Sequence, residues 1–211
     1  MNKLIYSVLV FFLFLNTLSA QENIYVKALG GINSAADIDF QTGNGIDYLN
    51  GDSDQGLGYV LATAVGYRFN PHLALELEYS ARSNPIDDVS ISSPNTVTKG
   101  DLKSSAIMLN GFYHFDEWVE ANPYIGLGLG VLTSLDYEVA IDEFGGGRSI
   151  DGNAFAFQFM LGAEIPVTEN LRFFTEGRIF SASSPDTKNS VSTMNINYDT
   201  YALLFGVTFL F

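Results

Sequence analysis

The chain has 211 residues, a formal net charge of −14 and no cysteine. The acidic balance excludes binding to the phosphates of nucleic acid, and the missing thiols exclude disulfide scaffolds, thiol catalysis and cysteine-ligated zinc. Aromatic residues make up 14% of the chain and charged residues only 16%, and there are 20 glycines. This composition predicts a compact all-β protein of one domain or at most two.

Residues 1–20 have the pattern of a secretory signal peptide. Lys3 precedes an apolar run, and small residues follow up to Ala20. We expect cleavage after Ser19 or Ala20, which leaves residues 21–211 as the mature domain. A transmembrane anchor is the alternative, but the apolar run of about a dozen residues is shorter than the ~20 that a spanning helix needs.

The mature chain alternates between apolar and other residues with a period of two. This period is typical of β-strands whose two faces meet different surroundings. Every second residue from Tyr201 to Phe211 is apolar, for example, and the run contains about as many residues as one tilted crossing of a bilayer. The pattern predicts eight strands, near residues 23–33, 56–69, 72–83, 101–115, 123–135, 153–165, 171–182 and 197–211.

The opposite faces of these strands carry small residues and a few isolated charges. A soluble sandwich would have many more charges on its water-facing side, so this face is predicted to line the interior of a barrel. The interior charges are Lys27, Arg68, Glu76, Glu78, Arg82, Glu164, Glu176 and Arg178. Because an unpaired interior charge is costly, we expect ion pairs. The expected pairs join Glu76, Glu78 and Glu176 to Lys27, Arg82 and Arg178.

The connections between strands are alternately long and short. Long polar connections are predicted near 34–55, 84–100, 136–152 and 183–196, and short ones at 70–71, 116–122 and 166–170. Long loops at one end and tight turns with both termini at the other are typical of outer-membrane barrels. The sequence therefore predicts a monomeric, eight-stranded, antiparallel up-and-down transmembrane β-barrel, closed because lipid cannot satisfy open sheet edges.

Aromatic residues fall where the two membrane interfaces are expected. The predicted periplasmic rim comprises Tyr67, Phe69, Tyr113, Phe115, Trp118, Tyr124, Phe173, Phe209 and Phe211. The predicted outer rim comprises Tyr59, Tyr79, Phe155 and Tyr201.

Several segments resemble the OmpA-type outer-membrane β-barrel superfamily, which includes opacity-type adhesins and surface antigens. The resemblance is carried by residues 65–69 (VGYRF), 75–79 (LELEY) and 123–130 (PYIGLGLG), and it extends over the whole mature chain. Phe205, Phe209 and the terminal Phe211 are similar to the signal that the outer-membrane assembly machinery reads. The resemblance implies a location in the outer membrane of a Gram-negative bacterium and no cofactor. Its motifs mark the fold rather than an activity.

Two functions from different classes remain open. The first is a structural and surface-interaction role, in which four long loops contact lipopolysaccharide, a host or another surface ligand while paired charges fill the lumen. The second is a narrow porin-like channel for ions or small solutes, in which the same charges line a path.

An enzyme of the outer membrane is a third class, and we predict that this chain is not one. It has two histidines, His72 and His114, and the topology places both near the periplasmic end and facing the lumen. Neither has a serine or carboxylate at a distinctive spacing, and a Gly-x-Ser-x-Gly motif is missing from the sequence.

The first long loop is acidic. It contains Asp37, Asp39, Asp47, Asp52 and Asp54. A solvated surface is the simpler interpretation, and weak bridging by divalent cations to lipopolysaccharide phosphates is the alternative. The spacing lacks the glycine and terminal glutamate of an EF-hand, so no metal site of that kind is predicted.

Overall fold

The computed structural model describes residues 23–35, 53–55, 57–89, 100–116, 120–139, 148–150, 154–183 and 197–211. Within these ranges the chain forms only strands and their turns, and none of the described residues belongs to a helix that could cross a bilayer. The strands are β1 (Ile24–Ala35), β2 (Ser53–Gln55), β3 (Gly58–Arg68), β4 (Leu73–Val89), β5 (Gly100–His114), β6 (Asn122–Val139), β7 (Arg148–Ile150), β8 (Ala154–Pro166), β9 (Leu171–Ser183) and β10 (Asn197–Leu210).

The eight long strands form a closed antiparallel barrel. Each pairs with its neighbour along the chain, in the order β1-β3-β4-β5-β6-β8-β9-β10. The last strand returns to the first, with Tyr25 opposite Leu210 and Ala35 opposite Thr200. The predicted up-and-down barrel of eight strands is therefore confirmed.

The alternation in the sequence produces two different faces. Leu77, Leu109, Leu129 and Phe157 are successive cross-strand neighbours around the barrel, and all four side chains are exposed on its outside. Such an apolar outer band is what a barrel presents to the hydrocarbon of a bilayer. The side chains that alternate with these along each strand, such as Glu76 and Glu78 on either side of Leu77, point into the lumen and are buried.

Two strands extend further than the alternation predicts. Strand β4 continues to Val89 and β6 to Val139, and the short strands β2 and β7 pair with these extensions. The extensions contain residues such as Asn, Asp and Pro, which led to their prediction as loops. A strand that projects beyond the bilayer needs no apolar outer face, so it lacks the alternation that identifies the other strands.

The short connections and the first and last described residues, Asn23 and Phe211, lie at one end of the barrel, which we call the short-turn end. Asn70 accepts hydrogen bonds from the backbone amides of His72 and Leu73, each at 2.8 Å, and closes the first turn. The backbone amide of Phe211 donates to the carbonyl of Ile24 at 3.1 Å. The opposite end, where the long connections begin and end, is called the loop end.

Candidate functional site in the barrel lumen

The barrel places all eight of the predicted interior charges on its inner face. Seven are almost completely buried, and the eighth, Arg68, has 13% of its side chain exposed near the short-turn end. Since burial of an unpaired charge costs several kcal/mol, the arrangement of partners decides whether such a lumen is stable. Three clusters follow one another along the barrel axis.

Arg178 is the centre of the first cluster. Its Nη1 and Nη2 donate to the two oxygens of Glu78, at 2.6 and 2.9 Å. Its Nε and Nη2 donate to Oε1 of Glu176 at 2.9 and 2.7 Å. Glu78 also accepts from Asn110 at 3.2 Å, and Glu176 accepts from the Tyr124 hydroxyl at 3.0 Å. One guanidinium thus joins β9 to β4 across the lumen.

Lys27 is the centre of the second cluster. Its Nζ lies 2.6 Å from Oε1 of Glu76, which also accepts a hydrogen bond from the Tyr25 hydroxyl at 2.6 Å. Four aromatic rings surround the amine, with centroids 4.5 to 5.7 Å from Nζ, within the range of cation–π attraction. These rings belong to Phe112, Phe174, Tyr124 and Tyr25. We call Lys27, Glu76 and the four rings the lumen plug.

Glu164 is the centre of the third cluster, at the short-turn end. Its Oε2 accepts from Arg68 Nη2 at 2.7 Å and lies 3.7 Å from Arg172 Nη1 and 3.9 Å from His114 Nε2. Its other oxygen accepts from Thr208 at 3.4 Å. Two arginines therefore share one carboxylate.

Arg82 departs from the predicted pairing. It makes no ion pair with any carboxylate in the described part of the chain. Instead its Nη1 donates to Ser80 at 2.9 Å, and its guanidinium carbon lies 4.0 Å from the centroid of the Phe180 ring. The prediction that Arg82 pairs with Glu76, Glu78 or Glu176 is wrong. Both oxygens of Glu78, the nearest of these on β4, accept hydrogen bonds from Arg178.

Glycines on the neighbouring strands create the space for these side chains. A Cβ at Gly128 would meet Asn110 Oδ1 and would lie 2.7 Å from Gln158 Cγ, because the two amides hydrogen-bond across β6 at 2.7 Å. A Cβ at Gly66 would collide with the ring of Tyr25. Gly111, on the outer face, has nothing within 4 Å of that position.

A family model described as the outer membrane protein beta-barrel domain matches residues 6–211. The chain belongs to this family. No curated protein sequence matches it. Among solved structures, the neisserial surface protein A is similar, with a TM-score of 0.57, 20% identity, and coverage of 89% of this chain and 97% of that one. The outer membrane protein OprG from Pseudomonas aeruginosa has a TM-score of 0.53 at 15% identity, covering 90% and 97%. The outer membrane protease OmpT from Escherichia coli has a TM-score of 0.52 at 11% identity, covering 91% and 98%. At these identities the likeness concerns the fold.

Sequence reasoning missed several residues of this outer membrane β-barrel's lumen. Arg172 and the ring residues Tyr25 and Phe112 were not predicted as members, although each has the inward parity of its strand. Tyr124 was predicted in the periplasmic aromatic rim, and the structure corrects this: its ring is fully buried in the lumen plug. Since Ile125 and Leu127 face outward, parity alone identifies Tyr124 as inward.

The phenylalanines of the predicted assembly signal lie away from the lumen. Phe205 and Phe209 are exposed on the outer face, and the rings of Phe209 and Phe211 meet edge to face at 5.2 Å. Of the acidic loop, Asp54 is part of β2, and Trp118 of the predicted rim lies outside the described residues. So do the remaining loop carboxylates, Asp37, Asp39, Asp47 and Asp52, and the predicted signal peptide.

The described side chains also define what the lumen can bind. They include no group of three or more His, Asp or Glu residues suited to a metal ion. His114 is buried beside Phe112 and Tyr124, whereas His72 is partly exposed and stacks on Tyr113.

Proposed function

We propose that this outer membrane β-barrel has a closed lumen and acts through its loop end as a surface-interaction protein. The lumen plug carries the proposal. It places Lys27, Glu76 and four rings across a barrel whose eight strands leave room for side chains only. An ion would have to break the 2.6 Å contact between Lys27 and Glu76 and pass between the rings.

The proposal includes a route to the membrane. Residues 1–20 act as a cleaved signal peptide, and the outer-membrane assembly machinery of a Gram-negative bacterium recognises Phe205, Phe209 and Phe211. The mature barrel is a monomer in the outer membrane. Exposed apolar side chains around the barrel support contact with lipid.

Planar-bilayer conductance of the refolded protein tests the closed lumen, after heat-dependent gel migration has shown that the barrel is folded. We expect no discrete conductance steps from the wild-type protein. The double variant Phe112→Ala/Phe174→Ala removes two rings of the lumen plug without changing its charge, so steps are expected to appear. Phe157→Ala/Phe205→Ala removes two rings from the outer face and should leave the protein silent. Discrete steps from the wild type would contradict a closed lumen.

A narrow channel is the second candidate. It is favoured by charged groups at successive levels of the lumen, from Arg172 near the short turns to Arg82 toward the loop end. If the wild type conducts, Glu78→Gln should change its preference for cations over anions, because Glu78 then lines the path. An unchanged preference would exclude this path.

We further propose that the protein is not an enzyme. The likeness to the protease OmpT shows that a barrel of similar fold can be an enzyme, so this proposal needs a test. It is supported by the histidines, neither of which has a hydrogen-bonded serine or carboxylate among the described side chains. His72 Nε2 lies 3.9 Å from Asp116, and His114 Nε2 lies 3.9 Å from Glu164. Peptide cleavage assays and mass spectrometry of lipid A from cells with and without the gene should show no difference. A modified lipid A or a cleaved peptide would refute this.

Lipopolysaccharide is the partner that the acidic loop favours, through divalent cations. Binding of the refolded protein to lipopolysaccharide vesicles is expected to fall when the chelator EDTA is added. Replacing Asp37, Asp39 and Asp47 with Asn should remove this dependence on cations. Equal binding with and without EDTA would contradict cation bridging, and calorimetry that detects no calcium binding at millimolar levels would do the same.

A further inference from the structure

The cluster around Glu164 differs from the others in its charge and its access to solvent. The first cluster and the lumen plug together contain three carboxylates and two cations, Lys27 and Arg178. Arg82, also on the inner face, supplies a third positive charge, so this part of the lumen is neutral. At the short-turn end, Arg68 and Arg172 face Glu164, the one carboxylate among the described lumen side chains of this cluster. This end of the lumen therefore has an excess positive charge in a protein whose net charge is −14.

The two arginines are also the interior charges that water reaches. Their side chains are 13% and 21% exposed, whereas that of Glu164 is fully buried. Arg172 is held only loosely, since its Nη1 lies 3.7 Å from Glu164 Oε2, beyond hydrogen-bonding distance. A ligand that enters from the short-turn end meets these guanidinium groups first.

Three of the buried polar atoms without a hydrogen-bond partner among the described residues belong to this cluster. His114 is 2% exposed, and neither of its ring nitrogens has a hydrogen-bond partner in the described part of the chain, although Nε2 lies 3.9 Å from Glu164 in the cluster. The Nε of Arg68 is likewise buried and has no partner among the side chains and backbone that the structure describes. Buried polar groups are normally hydrogen-bonded, so the cluster has more donor capacity than its one carboxylate uses.

We propose that the short-turn end of the lumen is a binding site for a small oxyanion, a phosphate or carboxylate group that enters from the aqueous compartment. Arg172 and Arg68 bind the anion, because the planar guanidinium group matches the geometry of an oxyanion. His114, which is buried deeper in the lumen, donates a hydrogen bond to it from Nε2. The side chains point into the lumen, so a free anion reaches them more directly than a lipid headgroup on the outside. The exposed carboxylates Asp116, Glu120 and Glu169 near this end oppose the anion, which limits its affinity to millimolar values. The site is independent of whether the lumen conducts.

The test follows the arginine Nε–H signals by NMR. The full-length mature protein is refolded in octyl glucoside and Tris chloride, and sodium phosphate or sodium acetate is titrated in at constant ionic strength, because screening alone changes surface electrostatics. We expect saturable shifts of the Arg68 and Arg172 signals at millimolar anion. The Arg178 signal, held between Glu78 and Glu176, should not move.

Two matched variants separate the site from general charge effects. Arg172→Gln should weaken binding of the anion about tenfold or more, the factor expected for the loss of one hydrogen bond to a charged group. Arg82→Gln removes the same charge from the far end of the lumen and should leave the affinity unchanged. Heat-dependent gel migration shows that each variant is folded, and if Arg172→Gln fails to fold, Arg172→Lys, with its different geometry, is expected to weaken binding in its place.

Three results would overturn the proposal. The first is no saturable shift with either anion, and the second is an equal loss of affinity in the two glutamine variants. The third concerns the source of the ligand. Shifts caused by phosphatidylglycerol added to the octyl glucoside micelles, but not by free phosphate or by added phosphatidylcholine, would show that a lipid headgroup occupies the site and not a free anion.

Discussion

Arg178→Met tests the central cluster of the lumen most directly. The substitution keeps a flexible apolar stem but ends two atoms short of the terminal guanidinium nitrogens, and it removes four hydrogen bonds to two buried carboxylates, at 2.6 to 2.9 Å. Glu78 and Glu176 would each retain one neutral donor, from Asn110 and Tyr124. Breaking a buried ion pair by removing one partner typically costs about 3–5 kcal/mol, and we expect a decrease in the free energy of unfolding in that range.

The measurement is urea unfolding of the refolded barrel in lipid vesicles, followed by fluorescence of the single tryptophan, Trp118. Arg172→Met is the matched control and should cost less than about 1 kcal/mol, because its guanidinium is partly exposed and loosely paired. The triple variant Glu78→Gln/Glu176→Gln/Arg178→Met removes all three charges of this cluster and should recover most of the loss. A single variant that costs no more than about 1 kcal/mol, or a triple variant as unstable as the single, would refute the reasoning.

Three further predictions concern packing and the lipid face. Gly128→Val should prevent folding, because the valine side chain would overlap the buried amides of Asn110 and Gln158. Gly111→Val, on the open outer face, should fold normally. Heat-dependent gel migration measures folding, and equal folding of the two variants would contradict the close packing of the lumen. Tyr25→Phe removes a 2.6 Å hydrogen bond to a buried carboxylate and should lower the free energy of unfolding in urea by about 1–3 kcal/mol. The control Tyr79→Phe removes an exposed 3.3 Å hydrogen bond and should lower it by less than about 0.5 kcal/mol. Similar losses in the two variants would argue against a buried network. Leu129→Arg places a charge on the outer face and should cost about 2–4 kcal/mol in vesicles, and a neutral effect would indicate that this face does not meet hydrocarbon.

Much of the barrel is predictable because the bilayer imposes a simple rule. A strand between lipid and a packed lumen must alternate, so the segment from Tyr201 to Phe211 identifies a strand, its outward face and its length. The rule stops at the membrane surface. The extension of β4 beyond Ser83 and its pairing with β2 follow from local sheet hydrogen bonding, for which the polar sequence there has no distinctive pattern.

The lumen is predictable in composition but not in partnership. Parity places Glu78, Arg82 and Arg178 inside, but which of them meet depends on how far each strand is shifted along the barrel axis. That stagger brings Arg178 of β9 against Glu78 of β4 and turns Arg82 toward the ring of Phe180. The contact between Arg178 and Glu176 needs no stagger, because the two residues are two positions apart on one strand. Alternation is unchanged by a shift of two residues, so a single sequence contains little information on the stagger.

The same cross-lumen pairs have a consequence for how the sheet selects its alignment. A slip of β9 by one residue would direct Glu176 and Arg178 into hydrocarbon, where a charged side chain costs about 2–4 kcal/mol near the midplane. A slip by two residues keeps the apolar face outside but moves Arg178 away from Glu78, which lies 100 positions earlier in the chain. Apolar side chains alone would reject only the first error. The buried charges make both misalignments unfavourable. They therefore favour the one strand alignment in which Arg178 and Glu78 meet across the closed barrel.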